Sequence, residues 1–231
     1  MKKSLFYGIM ACFISSVALA ESYDNTLTQC KELMENNPPK VEVVYSFGSL
    51  RLDNSKSPDE IKEVFKQVYP NQETHKINGL TVLSPFARVE NSIISQSKGD
   101  HVCYYPQRIQ ISAGYRPIVY ISKDLTGNPC RFSLTVRHEQ THLDIGHLSL
   151  QNFASRLKSE FPNIVKEIGP VLKSKADKVS AADAVAKEMN EAYHMRLKFL
   201  FDDFVQKLLE ENARIDTDEN YEYEQQLCPD I

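Results

Sequence analysis

His138, Glu139 and His142 stand in the run His-Glu-Gln-Thr-His, which has the spacing H-E-x-x-H. On a helix, residues i and i+4 share one face. Both imidazoles can then bind a single Zn²⁺ ion while the Glu139 carboxylate lies beside a water that the ion activates. The ion would lower the pKa of that water toward ~7, and Glu139 would take its proton and pass it to a leaving amine. The chemistry these three residues describe is metal-assisted hydrolysis of an amide.

The elements around the run must hold it at the edge of a core. Upstream, Arg116 to Ile121 is a β-branched and aromatic segment with its proline near the start, which suits a strand. Pro129 and Cys130 punctuate the link to the next element. From about Ser133 onward Leu143, Leu150, Phe153, Leu157 and Phe161 recur at helical steps. At about 100° per residue from His138, His142 falls near 40° and those apolar residues at roughly 60° to 140°, so the histidines border the buried stripe. Pro162 and Gly169-Pro170 mark breaks, Ser174 to Ser180 is a polar connection, and a long helix should run from about Ala181 to Asn212. Its buried side is expected to carry Val185, Met189, Ala192, Met195, Phe199 and Leu200.

Nearer the start, Leu27 to Met34 reads as a short helix and Val41 to Phe47 as a strand. Ser57-Pro58-Asp59-Glu60 has a capping serine, proline at the first helical position and an acid at the third; the helix it opens should stop at Pro70. Leu80 to Leu83, Val102 to Tyr105 and Arg108 to Ser112 are further strand-like runs. Strands followed by helices predict an α+β domain, with a small, mainly antiparallel sheet packed against the motif helix and a long C-terminal helix.

A catalytic zinc site takes three protein ligands, so a third is needed. His147 would face away from both histidines if the helix continues, roughly 180° from His138 and 140° from His142. The longer metzincin pattern is not met, because Gly146 and His147 fall at the wrong offsets. On the downstream helix, Glu188 lies inside the apolar stripe and Glu191 at its edge. A solvated face shared with Lys187 and Arg196 is the plainer fate of both. Tyr193 and His194 are placed to donate a hydrogen bond to a developing oxyanion.

The segment Asn190-Glu191-Ala192 resembles the N-E-A stretch of thermolysin-like gluzincins. The resemblance implies a zincin-like domain with Glu191 as the third zinc ligand beside His138 and His142. The wider pattern His138-Glu139-Gln140-Thr141-His142-Leu143-Asp144-Ile145, with strands and a cysteine upstream and an Asp-containing tail downstream, is similar to a family of secreted bacterial zinc-protease-like proteins of unknown substrate. In such a protein Asp216 in the tail is the rival third ligand, and Asp144 a residue that could orient a ligating histidine.

Met1 to Ala20 has Lys2 and Lys3, an apolar run and Ala18-Leu19-Ala20, as a secretory signal peptide would, leaving residues 21–231 as one domain with a helical C-terminal part. A periplasmic or secreted location follows. The net charge of −4 becomes −6 without those two lysines, a poor match to nucleic acid or anionic membrane. No later apolar run is long enough to span a bilayer. Of the five cysteines, Cys30, Cys103, Cys130 and Cys228 remain after the leader. Three pairings are possible, and Cys103 with Cys130 and Cys30 with Cys228 are the expected ones. The tail from Asp216 to Glu222 starts like a calcium loop but has Tyr221 where that loop needs glycine. His75 and His101 stand in polar segments as surface residues. Zinc-dependent cleavage of a protein or peptide is the leading expectation; a non-catalytic zinc-binding protein and a disulfide-stapled binding domain of the envelope are the alternatives.

Overall fold

The computed structural model of the chain describes residues 23–70 and 77–228. The expected leader at residues 1–20, and His75, lie outside them. The architecture is α+β. Helix α1 (23–36) is followed by β1 (Lys40–Ser46), β2 (Arg51–Asp53), α2 (Pro58–Val68), β3 (Gly79–Val82), β4 (Pro85–Lys98), β5 (His101–Tyr115) and β6 (Ile118–Ile121). Then come α3 (Pro129–Ile168), β7 (Val171–Ser174), α4 (Lys178–Ala213) and α5 (Asp218–Gln226).

The strands form two sheets. One has the order β1-β5-β4, with β7 antiparallel to β5. The other has the order β2-β6-β3, in which β3 is antiparallel and β2 parallel to β6. The two runs expected at Val102–Tyr105 and Arg108–Ser112 are one continuous strand, β5; Pro106 sits within it.

Helix α2 forms as its sequence predicts. The Ser57 hydroxyl accepts from the Glu60 N–H at 3.3 Å, and the Glu60 carboxylate accepts from the Ser57 N–H at 2.7 Å. Its apolar residues Ile61, Val64 and Phe65, with Tyr69, pack on Leu80 and Val82 of β3. Because side chains alternate along a strand, Gly79 and Thr81 then point the other way, toward α3.

Helix α3 starts at a proline in the first helical position, with the Asn128 side chain accepting from the Arg131 N–H at 3.1 Å. The break expected at Pro162 does not occur. A proline inside a helix costs about 3 kcal/mol, but Leu157, Phe161 and Val165 around it are essentially fully buried, at about 1.5–3 kcal/mol each. The helix ends instead at Ile168, where Gly169 takes the left-handed conformation (φ 69°) and donates to the Val165 carbonyl.

On α4 the buried stripe is Ala181, Val185, Met189, Tyr193, Leu197, Leu200, Phe204 and Leu208. Met195 and Phe199, expected inside, are 70% and 72% exposed. The steps of four that carry the stripe through Tyr193 and Leu197 leave those two residues on the far side.

The disulfides are Cys30–Cys103 and Cys130–Cys228, with Cα–Cα distances of 5.7 and 5.9 Å. This corrects the expected pairing. Cys30 of α1 meets Cys103 of β5 inside an apolar cluster with Met34, Tyr105 and Leu172, and Cys228 returns after α5 to the start of α3. His101 is half-buried, its ring edge-on to Tyr23. No helix among the described residues is long and apolar enough to cross a membrane.

The chain makes two compact units. One comprises the described residues up to Glu42, Val89–Gln110 and Glu160–Arg196; the other comprises Val43–Arg88, Ile111–Ser159 and the described residues from Leu197 onward. The first holds Cys30–Cys103; the second holds Cys130–Cys228 and the H-E-x-x-H run.

Candidate metal centre

The H-E-x-x-H run lies on α3, as its spacing requires, and all three named residues are buried: His138 7%, Glu139 4% and His142 8% exposed. The segment just after α4 completes the group. Asp216, between α4 and α5, brings Oδ1 to 3.0 Å from His138 Nε2 and 3.2 Å from His142 Nε2, and the two Nε2 atoms are 3.2 Å apart. These three residues are a group able to hold a metal ion. A tetrahedral zinc ion with bonds of ~2.0–2.1 Å sets neighbouring donors about 3.3 Å apart, close to the triangle observed.

Hydrogen bonding on the outer side of each ring decides what those atoms are. Asn212 of α4 donates through Nδ2 to the Leu208 carbonyl at 2.6 Å, which turns its Oδ1 to accept from His142 Nδ1 at 2.7 Å. Glu224 of α5 can only accept, and its Oε1 lies 3.2 Å from His138 Nδ1. With each proton on Nδ1, both neutral rings present Nε2 lone pairs to each other and to a carboxylate oxygen. In that form the group, two buried imidazoles and an exposed carboxylate, is a donor set able to hold a cation.

The electrostatics of the group point the same way. Burial opposes charge on His138, but the hydrogen bond it can donate to Asp216 and the charges of Glu139 and Glu224 outweigh it and raise the imidazole to about 9. His142 is also raised, burial being overcome chiefly by Asp216. Asp216 is driven well below the usual carboxylate range, since the two histidines outweigh its own desolvation. The site therefore stabilises positive charge. Two imidazolium rings with their Nε2 atoms 3.2 Å apart would repel, whereas one divalent ion satisfies all three donors.

Glu139 sits in a slot made by β3. Its Oε2 accepts from the Thr81 hydroxyl at 2.7 Å, and its Oε1 rests against Gly79, where any Cβ would collide with the carboxylate. Burial raises its pKa, while His142 and the Thr81 hydrogen bond act against that rise. A carboxyl held nearer neutrality is suited to general-base work.

Several contributors were invisible in the sequence. Tyr221 of α5 donates to Asp216 Oδ1 at 2.8 Å and stacks on the His138 ring, centroids 5.1 Å apart. Burial and the charges of Asp216 and Glu139 raise the Tyr69 phenol. Thr81, Gly79, Tyr69, Asn212, Tyr221 and Glu224 belong to no motif. The one available signal was Tyr221 and Glu224 at i, i+3 in an acidic tail next to Asp216.

The other ligand candidates lie elsewhere. Glu191, expected as the third ligand, belongs to the other unit; its side chain is 65% exposed and paired with Lys187 at 3.9 Å. Being two residues along from Met189 on the same turn, it falls outside the buried stripe. Glu188 pairs with Lys173 at 3.3 Å, and His194 is exposed. His147 is held by aromatic rings, 4.3 Å from Phe47 and stacked on Tyr115. Asp144 accepts from Gln140 and does not orient either ligand histidine. Tyr193 is fully buried among core residues, its hydroxyl without a partner. No protein-family model, curated protein or solved structure matches this chain.

Proposed function

We propose that the chain is a zinc-dependent peptidase acting outside the cytoplasm, with His138, His142 and Asp216 as metal ligands and Glu139 as general base. The observation that carries this reading is the triangle of three acceptor atoms, 3.0 to 3.2 Å on each edge, placed one residue from a buried glutamate. When bound, zinc would act as a Lewis acid, lowering the pKa of a water toward ~7 and polarising the scissile carbonyl.

The chain's own residues do the rest. Glu139 takes a proton from the attacking water as the C–O bond forms, then delivers it to the amine as the C–N bond breaks. Thr81 and Gly79 fix its carboxylate during both transfers. Asn212 and Glu224 hold the imidazoles in the tautomer that presents Nε2. Among the described residues β3 is paired on one edge only, with β6. Its other edge offers backbone donors and acceptors beside Glu139, which suits an extended peptide. The two disulfides fit an oxidising compartment, periplasmic or extracellular. The topology, with a motif helix under an antiparallel edge strand, supports a zincin-like domain.

A zinc site without catalysis is the second reading, favoured by the burial of both histidines. One experiment separates the two: zinc content and cleavage of a fluorescent-labelled casein are measured for the native protein, His142→Ala and Glu139→Gln. The proposal expects about one zinc per chain in the native protein and Glu139→Gln, none in His142→Ala, and cleavage by the native protein alone. Zinc in the native protein without cleavage of casein or of a random peptide library would favour the non-catalytic site. Absence of zinc from the native protein after reconstitution would end both readings.

A further inference from the structure

Helix α5 has almost nothing of its own to hold it in place. It is nine residues long, a length at which an isolated helix does not persist in water, and none of its described residues is buried. Its N-terminus is capped locally, with Thr217 accepting from the Asn220 N–H. Asn220 Nδ2 also donates to the Ile215 carbonyl at 3.1 Å, and among the described residues the further ties are of two kinds. One is covalent: Cys228, two residues past the helix and 3% exposed, is joined to Cys130 in the first turn of α3. The other is the metal centre itself, through Tyr221 on Asp216 and His138 and through Glu224 on His138.

We infer that the Cys130–Cys228 disulfide is a clasp for the metal centre, holding Tyr221 and Glu224 against the ligands and so setting the affinity for zinc. The inference rests on the metal-site reading above. With the bond intact, α5 presents a hydroxyl that fixes the Asp216 oxygen and a carboxylate that fixes the His138 tautomer. With it reduced, the short exposed helix loses its covalent anchor, and the two contacts weaken together. Asp216 itself stays within three residues of α4, so affinity falls without disappearing. Such supporting contacts typically account for ~10–100-fold in metal affinity, and that is the change expected.

The two disulfides differ in accessibility in the way this role needs. Cys30 and Cys103 are both 0% exposed inside an apolar cluster, whereas Cys130 is exposed. A water-soluble trialkylphosphine should therefore reach Cys130–Cys228 first. In that reaction the phosphine attacks one sulfur, the S–S bond breaks, and water supplies the oxygen of the phosphine oxide and the protons of the two thiols.

The test is the zinc dissociation constant, measured by competition with a chromophoric chelator on the full chain. It compares the native protein, the Cys130→Ser/Cys228→Ser pair, the Cys30→Ser/Cys103→Ser pair and Tyr221→Phe, with circular dichroism reporting the fold of each. The clasp predicts weakening of ~10–100-fold in the first pair, several-fold weakening in Tyr221→Phe and no change in the second pair. By reciprocity, bound zinc should shift the thiol–disulfide equilibrium of Cys130–Cys228 in a glutathione redox buffer toward the disulfide by a comparable factor, read as alkylation of the two cysteines by mass spectrometry. That measurement also serves if the first pair fails to fold. Native affinity in the Cys130→Ser/Cys228→Ser protein, or equal weakening in both pairs, overturns the clasp and leaves the zinc site standing. A native protein that binds no zinc removes both.

Discussion

The two disulfides close loops of similar length, with sequence separations of 73 and 98, yet they sit in opposite surroundings. Chain entropy alone would assign them nearly the same value, about 4–5 kcal/mol each. Cys30–Cys103 is sealed in a cluster with Met34, Tyr105 and Leu172, with Leu27, Leu33 and Ile94 packed around it. Cys130–Cys228 is reached by solvent on one side and leads to a polar centre of histidines and carboxylates. The first reinforces a region that burial already holds; the second fixes a helix that burial does not hold. What surrounds a cross-link, more than the loop it closes, decides whether its loss is felt in stability or in a site.

The largest effect that sharpens this contrast belongs to the centre. Glu139→Gln should lower hydrolysis by ~10²–10⁴-fold, the usual worth of a general base, while zinc content and thermal stability stay near native. Calorimetry beside a casein-cleavage assay would show it, and a variant with native turnover would take Glu139 out of the mechanism.

Next comes the buried bridge. Cys30→Ser/Cys103→Ser should cost about 2–5 kcal/mol in chemical denaturation while leaving zinc affinity alone. Equal loss of zinc from this pair would erase the distinction between the two regions. Smaller again is Gly79→Ala. Its methyl meets the Glu139 carboxylate and comes within 2.6 Å of Thr135 Cγ2. Such overpacking costs typically about 1–3 kcal/mol, and the displaced carboxylate should lower turnover by more than stability falls, with zinc retained. Native turnover in Gly79→Ala would show that the slot does not position Glu139.

How much of this was legible beforehand depends on how local each signal is. His138, Glu139 and His142 lie on a buried helical face because the i, i+4 spacing and the apolar periodicity are properties of one segment. The α2 capping box is equally local and appears bond for bond. The third ligand and the disulfide pairs are long-range facts. Asp216 is 74 residues from His142, and nothing in the spacing of the tail distinguishes it from its acidic neighbours. Even the helical stripe on α4 misled where two alternatives existed: Met195 and Phe199 are apolar and near the right phase, but Tyr193 and Leu197 occupy the buried face. Pro162 misled for the opposite reason, since a local rule was outweighed by burial of Phe161 and Val165.

The smallest expected effect is the one that separates two ligand sets. Glu191 is exposed and paired with Lys187 at helical spacing i, i+4, an interaction worth a few tenths of a kcal/mol at most. Glu191→Gln should therefore leave zinc content, zinc affinity and turnover at native values. Asp216→Asn removes the carboxylate charge that both Nε2 atoms and the Tyr221 hydroxyl converge on, and should lose the metal on dialysis. Measured side by side by elemental analysis, the two variants divide the possibilities cleanly. Zinc lost from Glu191→Gln and kept by Asp216→Asn would transfer the third ligand to α4 and leave the convergent triangle as a proton-sharing cluster. The reverse result would locate the centre wholly within the unit that carries the exposed disulfide.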